Sequence, residues 1–145
     1  MTTLAEAAGL AHDEQGLAVV STLRADSTIQ SSLVNAGVLP HPSTGEPALA
    51  FVTYGKVKLA NLRVRPQLSA TFRRGWQWAT VEGEAELAGP DDAQAWLDEE
   101  GLRLLLRAVF VAAGGTHDDW DEYDRVMAEQ RRTVVLVKPT RVYSN

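Results

Sequence analysis

The chain has 145 residues, of which 45% are hydrophobic and 23% are charged, with a net charge of −5 and no cysteine. This length and composition predict one globular domain over residues 1–145 and exclude disordered and fibrous classes. The acidic balance argues against a general nucleic-acid binder, and the lack of cysteine excludes disulfides and thiolate metal sites.

The first half of the chain is predicted to alternate short strands with helices. Its opening residues have the small, apolar content of a helix that ends near Gly16. β-Branched and apolar runs bounded by turn residues then predict a hairpin and a third strand. The spacing of apolar residues from Lys56 is that of a short helix, which Pro66 ends. The three predicted strands cover 17–23, 29–39 and 48–53.

The second half is predicted to contain two longer helices and three more strands. The segment Gly89-Pro90-Asp91-Asp92 is typical of a helix start, so we expect a helix over 93–113, with Gly101 as a possible break. A further helix is expected from Asp118 to about Gln130. The three strands of this half cover 68–72, 76–87 and 133–137, the last of them ended by Pro139.

Six strands in antiparallel order with short helices between them predict a mainly β fold. This order of elements is typical of a small six-stranded barrel and not of a doubly wound α/β sheet. We find no internal repeat and no low-complexity segment.

One segment of this acidic chain is positively charged. Between Glu46 and Glu82 there is no acidic residue. Lys58 and Asn61 lie three residues apart, on one face of the predicted helix, and the free N–H groups of a helix N-terminus attract phosphate. The segment therefore predicts a phosphate site, with a solvated basic helix end as the alternative. Its basic residues are Lys56, Lys58, Arg63, Arg65, Arg73 and Arg74.

The fifth predicted strand has two unequal faces. Trp76 and Trp78 share a face with three glutamates, and that face cannot line the barrel interior because unpaired carboxylates would be buried. Two outward indoles indicate a partner surface or a flat ligand. The alternative is that they pack under the long helix, near Trp96.

Other functional classes lack their motifs. The histidines at 12, 41 and 117 are scattered, so no metal site is predicted. The acidic run 118–124 lacks the spacing of a calcium loop and is better explained as a helix start. There is no nucleophile elbow, P-loop or dinucleotide fingerprint, and no catalytic residue can be named. No segment is apolar enough to span a bilayer and no signal-peptide pattern is found, so we expect a cytoplasmic protein without a membrane partner.

Four short patterns, taken in order, carry a family resemblance that extends from Leu17 to Tyr143. The sequence resembles the actinobacterial and mycobacterial branch of the pyridoxamine 5'-phosphate oxidase-like proteins that use the deazaflavin coenzyme F420. The patterns are Lys56-x-Lys58-x-x-Asn61-Leu62-Arg63-x-x-Pro66, Gly75-Trp76-x-Trp78-Ala79-x-Val81-Glu82-Gly83, His117-x-Asp119-Trp120-Asp121-x-Tyr123 and Arg131-Arg132.

The resemblance implies a split β-barrel homodimer of the FMN-binding type with its cofactor at the subunit interface. It implies that Lys56 and Lys58 hold the cofactor phosphate, that Asn61 supports their loop, and that the ring lies against the second and third strands. Residues 76–78 would reach the cofactor of the other subunit. The implied cofactor-binding set is Ser32, Leu33, Val34, Thr53, Lys56, Lys58, Asn61, Trp76, Gln77 and Trp78.

The implied function is that of an F420-dependent oxidoreductase, which transfers hydride between the deazaflavin and a small electron-poor substrate. In such enzymes the cofactor carries the reaction and the protein supplies position and electrostatics. Two alternatives stay open: an FMN-binding oxidase or reductase of the same fold, and a carrier that binds F420 without catalysis. F420 is favoured by the Trp76-x-Trp78 and Asp119-Trp120-Asp121 matches to this branch. The basic excess also continues to Arg63, Arg65, Arg73 and Arg74, which would attract its carboxylate tail.

Overall fold

A computed structural model describes residues 1–145 as a closed barrel of six antiparallel strands. The strands are β1 Leu17–Leu23, β2 Ile29–Pro40, β3 Pro47–Thr53, β4 Gln67–Arg74, β5 Gln77–Ala88 and β6 Thr133–Ser144. Neighbouring strands follow the order β1-β2-β3-β6-β5-β4. The predicted mainly β, six-stranded antiparallel fold is therefore confirmed.

Four helices are set around the barrel: α1 Leu4–Gly9, α2 Lys56–Val64, α3 Glu99–Ala112 and α4 Trp120–Glu129. The first core fills the barrel, around Phe51 and Phe72. The second lies between the helices α3 and α4 and the outer face of β3 and β6, around Val109 and Leu136. None of the four helices is both long and apolar enough to cross a membrane.

The predicted helix over 93–113 begins later than expected, at Glu99. Gly89 and Asp92 exchange backbone hydrogen bonds of 3.1 Å, which closes a tight turn where the helix start was predicted. The Asp98 carboxylate instead accepts a hydrogen bond from the Gly101 N–H at 2.7 Å and caps α3. Gly101 therefore lies in the first turn of the helix and does not break it.

The last strand also differs from its prediction, because it continues past Pro139 to Ser144. The β5–β6 register shifts between Glu82 and Gly83, and Gly83 lies opposite Pro139. A bulge of this kind accommodates a residue that cannot donate a ladder hydrogen bond. β6 therefore extends the barrel wall beyond the residues for which the sequence pattern predicted a strand.

The closed barrel has a local opening beside β2, because β2 pairs with β3 along only part of its length. The β2–β3 ladder runs from Pro40 opposite Pro47 to Ala36 opposite Phe51, and ends there. The ladder of β2 with β1 continues as far as Ile29. Residues 29–35 of β2 therefore have no strand on the side where β3 ends and the chain turns into α2, and the candidate site lies at this opening.

Candidate functional site

The N-terminus of α2 carries no side-chain cap. Gly55 is the N-cap residue, and its own N–H donates to Thr53 Oγ1 at 3.1 Å. The first-turn N–H groups of a helix have no partner within the helix, and the helix dipole gives them partial positive charge. This end of α2, beside the last residue of β3, therefore provides donors for an anion.

Lys58 is a buried cation without a counter-charge. Its side chain is in the first turn of α2 and only 6% of the residue is exposed. The ammonium nitrogen lies 3.4 Å from Thr53 Oγ1 and 5.7 Å from the centroid of the Phe51 ring. Burial lowers the pKa of Lys58, and the positive charge of Arg132 lowers it further. For Lys58, the alternative of a solvated helix end is wrong.

Asn61 lies one turn after Lys58 and is also buried. Its amide donates to Thr22 Oγ1 at 3.0 Å, and the Thr22 hydroxyl donates to Gln30 Oε1 at 3.3 Å. This chain of hydrogen bonds fixes α2 to β1 and β2. Asn61 therefore holds the helix in place, as the loop-supporting role requires.

The sequence analysis did not predict Arg132 as a site residue, although the Arg131-Arg132 pattern of the resemblance includes it. Its guanidinium carbon lies 3.9 Å from the centroid of the Tyr54 ring, directly before Gly55. Its Nε donates to Gln130 Oε1 at 2.8 Å, and burial lowers the pKa of Arg132. The available signal was the strand register: Thr133 pairs with Thr53, which brings Arg132 beside α2.

The three residues implied on β2 do not share one face. Val34 is buried, and Ser32 lies opposite the buried Val20. The Ser32 hydroxyl is a buried polar atom with no hydrogen-bond partner. Leu33 is 63% exposed and lies opposite Val19 on the outer face of the sheet. Ser32 and Val34 therefore face the interior of the barrel, and Leu33 faces outward.

The outer tryptophans lie at the other end of the barrel from α2. Trp78 is near the start of β5, whereas Thr53 pairs with Thr133 at the end where β5 finishes. Trp76 is 95% exposed, and Trp78 contacts Tyr143 edge to face at 6.2 Å. The alternative that they pack near Trp96 is wrong. Residues 76–78 cannot reach the Lys58 site of their own chain.

The outer face that carries Leu33 contains one row of uncharged side chains. This row crosses five strands and consists of apolar and hydroxyl side chains, and its hydroxyls bond each other, as Thr71 and Thr80 do at 2.8 Å. Charged residues border the row, since the Tyr143 hydroxyl donates to the Glu82 carboxylate. The row is Leu33, Val19, Thr71, Thr80 and Tyr143.

Two arginines of the basic segment after β3 are engaged in hydrogen bonds within the chain. Arg63 binds the Asp92 carboxylate through two hydrogen bonds of 2.9 and 2.7 Å, and Arg65 donates to the Leu23 carbonyl oxygen at 3.0 Å. Lys56 is exposed at the start of α2. The sequence predicted that Arg63 and Arg65 would attract a carboxylate tail, but both side chains are engaged in hydrogen bonds within the fold.

The acidic and aromatic pattern near residue 120 stabilises the helical layer. The Asp119 carboxylate accepts a hydrogen bond from Glu122 N–H at 3.1 Å and caps α4, so the predicted helix start is confirmed. The Tyr123 hydroxyl donates to the Leu106 carbonyl oxygen at 2.9 Å, and Trp120 packs against Phe110. These residues hold α4 on α3.

No model of a known protein family matches the sequence, whereas solved structures do match the fold. The conserved hypothetical protein Rv2991 from Mycobacterium tuberculosis aligns at a TM-score of 0.67 and 19% identity, over 99% of this chain and 84% of that one. An F420 reductase aligns at 0.56 and 17%, over 88% of both chains.

A third match is a pyridoxamine 5'-phosphate oxidase-related, FMN-binding protein from Nostoc punctiforme, with a TM-score of 0.61 and 12% identity over 88% of this chain and 72% of that chain. All three identities are low, so the likeness is one of fold. The chain has the fold of the pyridoxamine 5'-phosphate oxidase-like proteins, as its sequence resemblance implies.

Proposed function

We propose that the protein binds coenzyme F420 at the N-terminus of α2 and acts as an oxidoreductase that transfers hydride to or from a small electron-poor substrate. The observation that carries the proposal is Lys58, a buried ammonium with no carboxylate partner beside an uncapped helix N-terminus. A buried charge of this kind is costly unless an anion joins it. A cofactor phosphate is such an anion.

The residues around Lys58 fit a cofactor with a phosphate and a polar ring. Arg132, stacked on Tyr54, adds a planar guanidinium that suits phosphate oxygens. The buried Ser32 hydroxyl has no partner within the fold and would bond a polar atom of the ring. Val34 and Thr53 would supply the walls around it.

The cofactor supplies the hydride chemistry when it is bound, and the protein provides position and charge. Lys58 and Arg132 would hold the phosphate, while Asn61 keeps α2 against β1 through Thr22. No acid–base pair adjoins Lys58, which fits a reaction in which no side chain needs to exchange a proton with the substrate.

The proposal includes a homodimer. The uncharged row on the outer sheet face would be the contact surface, and the exposed Trp76 lies at the end of the barrel opposite α2, away from its own Lys58. A second copy packed on this face would bring its residues 76–78 towards the cofactor, as the resemblance implies.

FMN is the second candidate, and one observation favours it. Arg63 is neutralised by Asp92, so the segment after β3 has less free positive charge for a carboxylate tail than its sequence predicts. Lys58 and Arg132 would serve the phosphate of FMN as well as that of F420.

The test is a set of separate titrations of the purified protein with F420, FMN and pyridoxal phosphate, followed by fluorescence or calorimetry. We expect F420 to bind most tightly. Tighter binding of FMN would replace F420 by the second candidate, and binding of neither would overturn the flavin-type assignment. Turnover of an electron-poor acceptor with reduced F420 then separates an enzyme from a carrier.

A further inference from the structure

The inner faces of β2 and β3 beside Lys58 present hydrogen-bond donors and no carboxylate. We propose that Gln30, Ser32 and Thr53 form a donor array that binds the carbonyl edge of the cofactor ring and favours the reduced, more negatively charged form of the cofactor. The inference rests on the proposed function, because it takes a flavin-type ring to lie at the opening beside β2.

Gln30, which the sequence analysis did not predict as a site residue, is oriented by a chain of hydrogen bonds. The Asn61 Nδ2 group can only donate, and it donates to Thr22 Oγ1 at 3.0 Å. The Thr22 proton is therefore directed to a different acceptor, which is Gln30 Oε1 at 3.3 Å. This bond turns the amide oxygen of Gln30 towards Thr22. The donor of the same amide, Nε2, is left without an acceptor within the fold.

Thr53 and Ser32 add two hydroxyl donors. Thr53 Oγ1 accepts hydrogen bonds from the Gly55 N–H at 3.1 Å and from Lys58 Nζ at 3.4 Å, so both of its lone pairs are used and its proton remains to be donated. The Ser32 hydroxyl is buried and has no partner. A buried polar group without a partner destabilises the fold, and a ligand that pairs with it removes this cost.

The three side chains meet at the opening beside β2. Gln30 and Ser32 lie two residues apart, hence on one face of β2, and both are opposite buried residues of β1. Thr53 is the last residue of β3, two residues beyond the end of the β2–β3 ladder. Although they face inward, Gln30 and Ser32 are partly exposed. A flat group that enters beside β2 therefore meets donors from both strands.

Donors without acceptors match a ligand edge that consists of acceptors. Flavins and deazaflavins have such an edge in the two carbonyl oxygens of their pyrimidine dione. A hydride carries two electrons and one proton, so a ring that gains it also gains one negative charge, which spreads onto the dione until a second proton arrives. Hydrogen bonds to charged acceptors are stronger than those to neutral ones. The array should therefore bind the reduced cofactor more tightly than the oxidised one and raise its reduction potential.

The experiment measures, without oxygen, the Kd of the oxidised and of the reduced form of F420 and FMN for wild type and three variants. Ser32→Ala removes one donor. Gln30→Glu keeps an oxygen for the Thr22 hydroxyl and replaces the Nε2 donor with an anionic oxygen. Ser31→Ala is the matched control, since this neighbouring β2 serine faces outward and bonds Ser21 at 2.8 Å.

The ratio of the two Kd values isolates the ring contact, because the phosphate is the same in both forms of a cofactor. We expect Ser32→Ala to weaken the reduced form about fivefold to tenfold more than the oxidised form. Tenfold corresponds to a reduction potential of the bound cofactor that is about 30 mV lower. Gln30→Glu should change the ratio further in the same direction, and Ser31→Ala should leave it unchanged.

The stability of the cofactor-free protein separates a ligand-binding role from a structural one. Ser32→Ala should be at least as stable as wild type in denaturant, because the lost hydroxyl bonds nothing within the fold. The same Kd ratio in all four proteins would overturn the donor array and leave the proposed cofactor site standing. If neither cofactor binds wild type, the proposed function fails and the array fails with it.

Discussion

Two regions of the molecule concentrate basic side chains, and they differ in the groups that face the cations. Between α3 and α4, Arg103 and Arg107 both donate to the Asp124 carboxylate, at 2.9 Å each. At the N-terminus of α2, Lys58 and Arg132 have no carboxylate partner. Cations that the fold neutralises stabilise its packing, whereas buried cations left without counter-charge are available to a ligand.

The pKa directions in the two regions express the same difference. Hydrogen bonds from Arg107 hold the pKa of Asp124 below its usual range, which means that the fold favours the charged carboxylate. Burial lowers the pKa of Lys58, which means that the fold disfavours the charged ammonium. The α3–α4 region therefore gains stability from its charges, and the α2 region loses stability until an anion binds.

The largest effect is expected at the α2 region on cofactor binding. Lys58→Ala removes a charge-assisted phosphate contact worth about 1.5–3 kcal/mol, so the cofactor Kd should rise roughly tenfold to hundredfold. Arg65→Ala, whose side chain binds the Leu23 carbonyl oxygen, is the control and should change the Kd little. Titrations of both variants with F420 or FMN measure the difference. Small and equal effects would mean that Lys58 does not hold the phosphate.

A second large effect concerns the uncharged row on the outer face, to which Leu33 belongs. Sedimentation at micromolar concentration should give about twice the chain mass of 15.8 kDa. Leu33→Glu places a charge on this face and should weaken the dimer by about 2 kcal/mol or more, because an unpaired charge would be desolvated.

The control for the dimer is Val111→Glu, at an exposed position of α3 on the helical layer. It should leave the sedimenting mass unchanged. A wild-type monomer with an intact fold, or equal dimers in both variants, would remove the outer face as the subunit interface and with it the role of Trp76.

The α3–α4 region should respond through stability and not through binding. Asp124→Asn leaves Arg103 and Arg107 without their shared carboxylate and should lower the free energy of unfolding by about 1–2 kcal/mol. In wild type the stabilisation by Asp124 is fully present above the ordinary pKa of an aspartate, about 3.9, and is lost as the pH falls through the folded-state value. Denaturant unfolding of wild type and Asp124→Asn at pH 7 and pH 3 measures the loss of stability in the variant and the pH dependence of wild type. A variant that binds cofactor less tightly at unchanged stability would contradict this division of roles.

Much of the fold follows from local sequence signals. The strand runs of the first half are apolar and bounded by turn residues, and Pro66 ends α2 as its missing N–H requires. The outward placement of Trp78 also follows, because the strand period of two puts it on the face of the glutamates, whereas Trp76 lies in the turn before β5.

The sequence predictions are wrong where a contact between distant segments determines the local structure. Pro90, Asp91 and Asp92 have a helix-start composition, but the turn is closed by backbone bonds of Gly89 and the acids bind Arg63 and Arg131. In the site, Lys58 could be proposed from its helix position, whereas Arg132 could not, because its approach to α2 depends on the pairing of Thr53 with Thr133. Strand register between distant segments is not encoded in a local pattern.

A smaller effect should appear in the stability of the cofactor-free protein. Lys58→Met removes a buried ammonium and should raise the free energy of unfolding at pH 7 by about 1 kcal/mol. Because the folded-state pKa of Lys58 is depressed, the unfolded wild-type chain binds more protons than the folded one at alkaline pH. The free energy of unfolding of wild type should therefore rise relative to that of the variant as the pH rises towards about 10.4. Denaturant unfolding from pH 7 to pH 10 measures the gap. A variant less stable than wild type at every pH would show that the ammonium is already compensated within the fold.

The smallest effect is expected in the salt dependence of binding, which separates the two cofactors. Both present a phosphate to Lys58 and Arg132, so this contact cannot distinguish them. F420 brings further carboxylates beyond its phosphate, whereas FMN ends at its phosphate. Exposed charge pairs are screened by added salt more than buried ones, so the Kd of F420 should rise more steeply with salt than that of FMN. Titrations of each cofactor at low and moderate ionic strength measure the two slopes. Equal slopes would mean that the tail makes no charged contact, and tighter binding of FMN at moderate ionic strength would reverse the choice of cofactor.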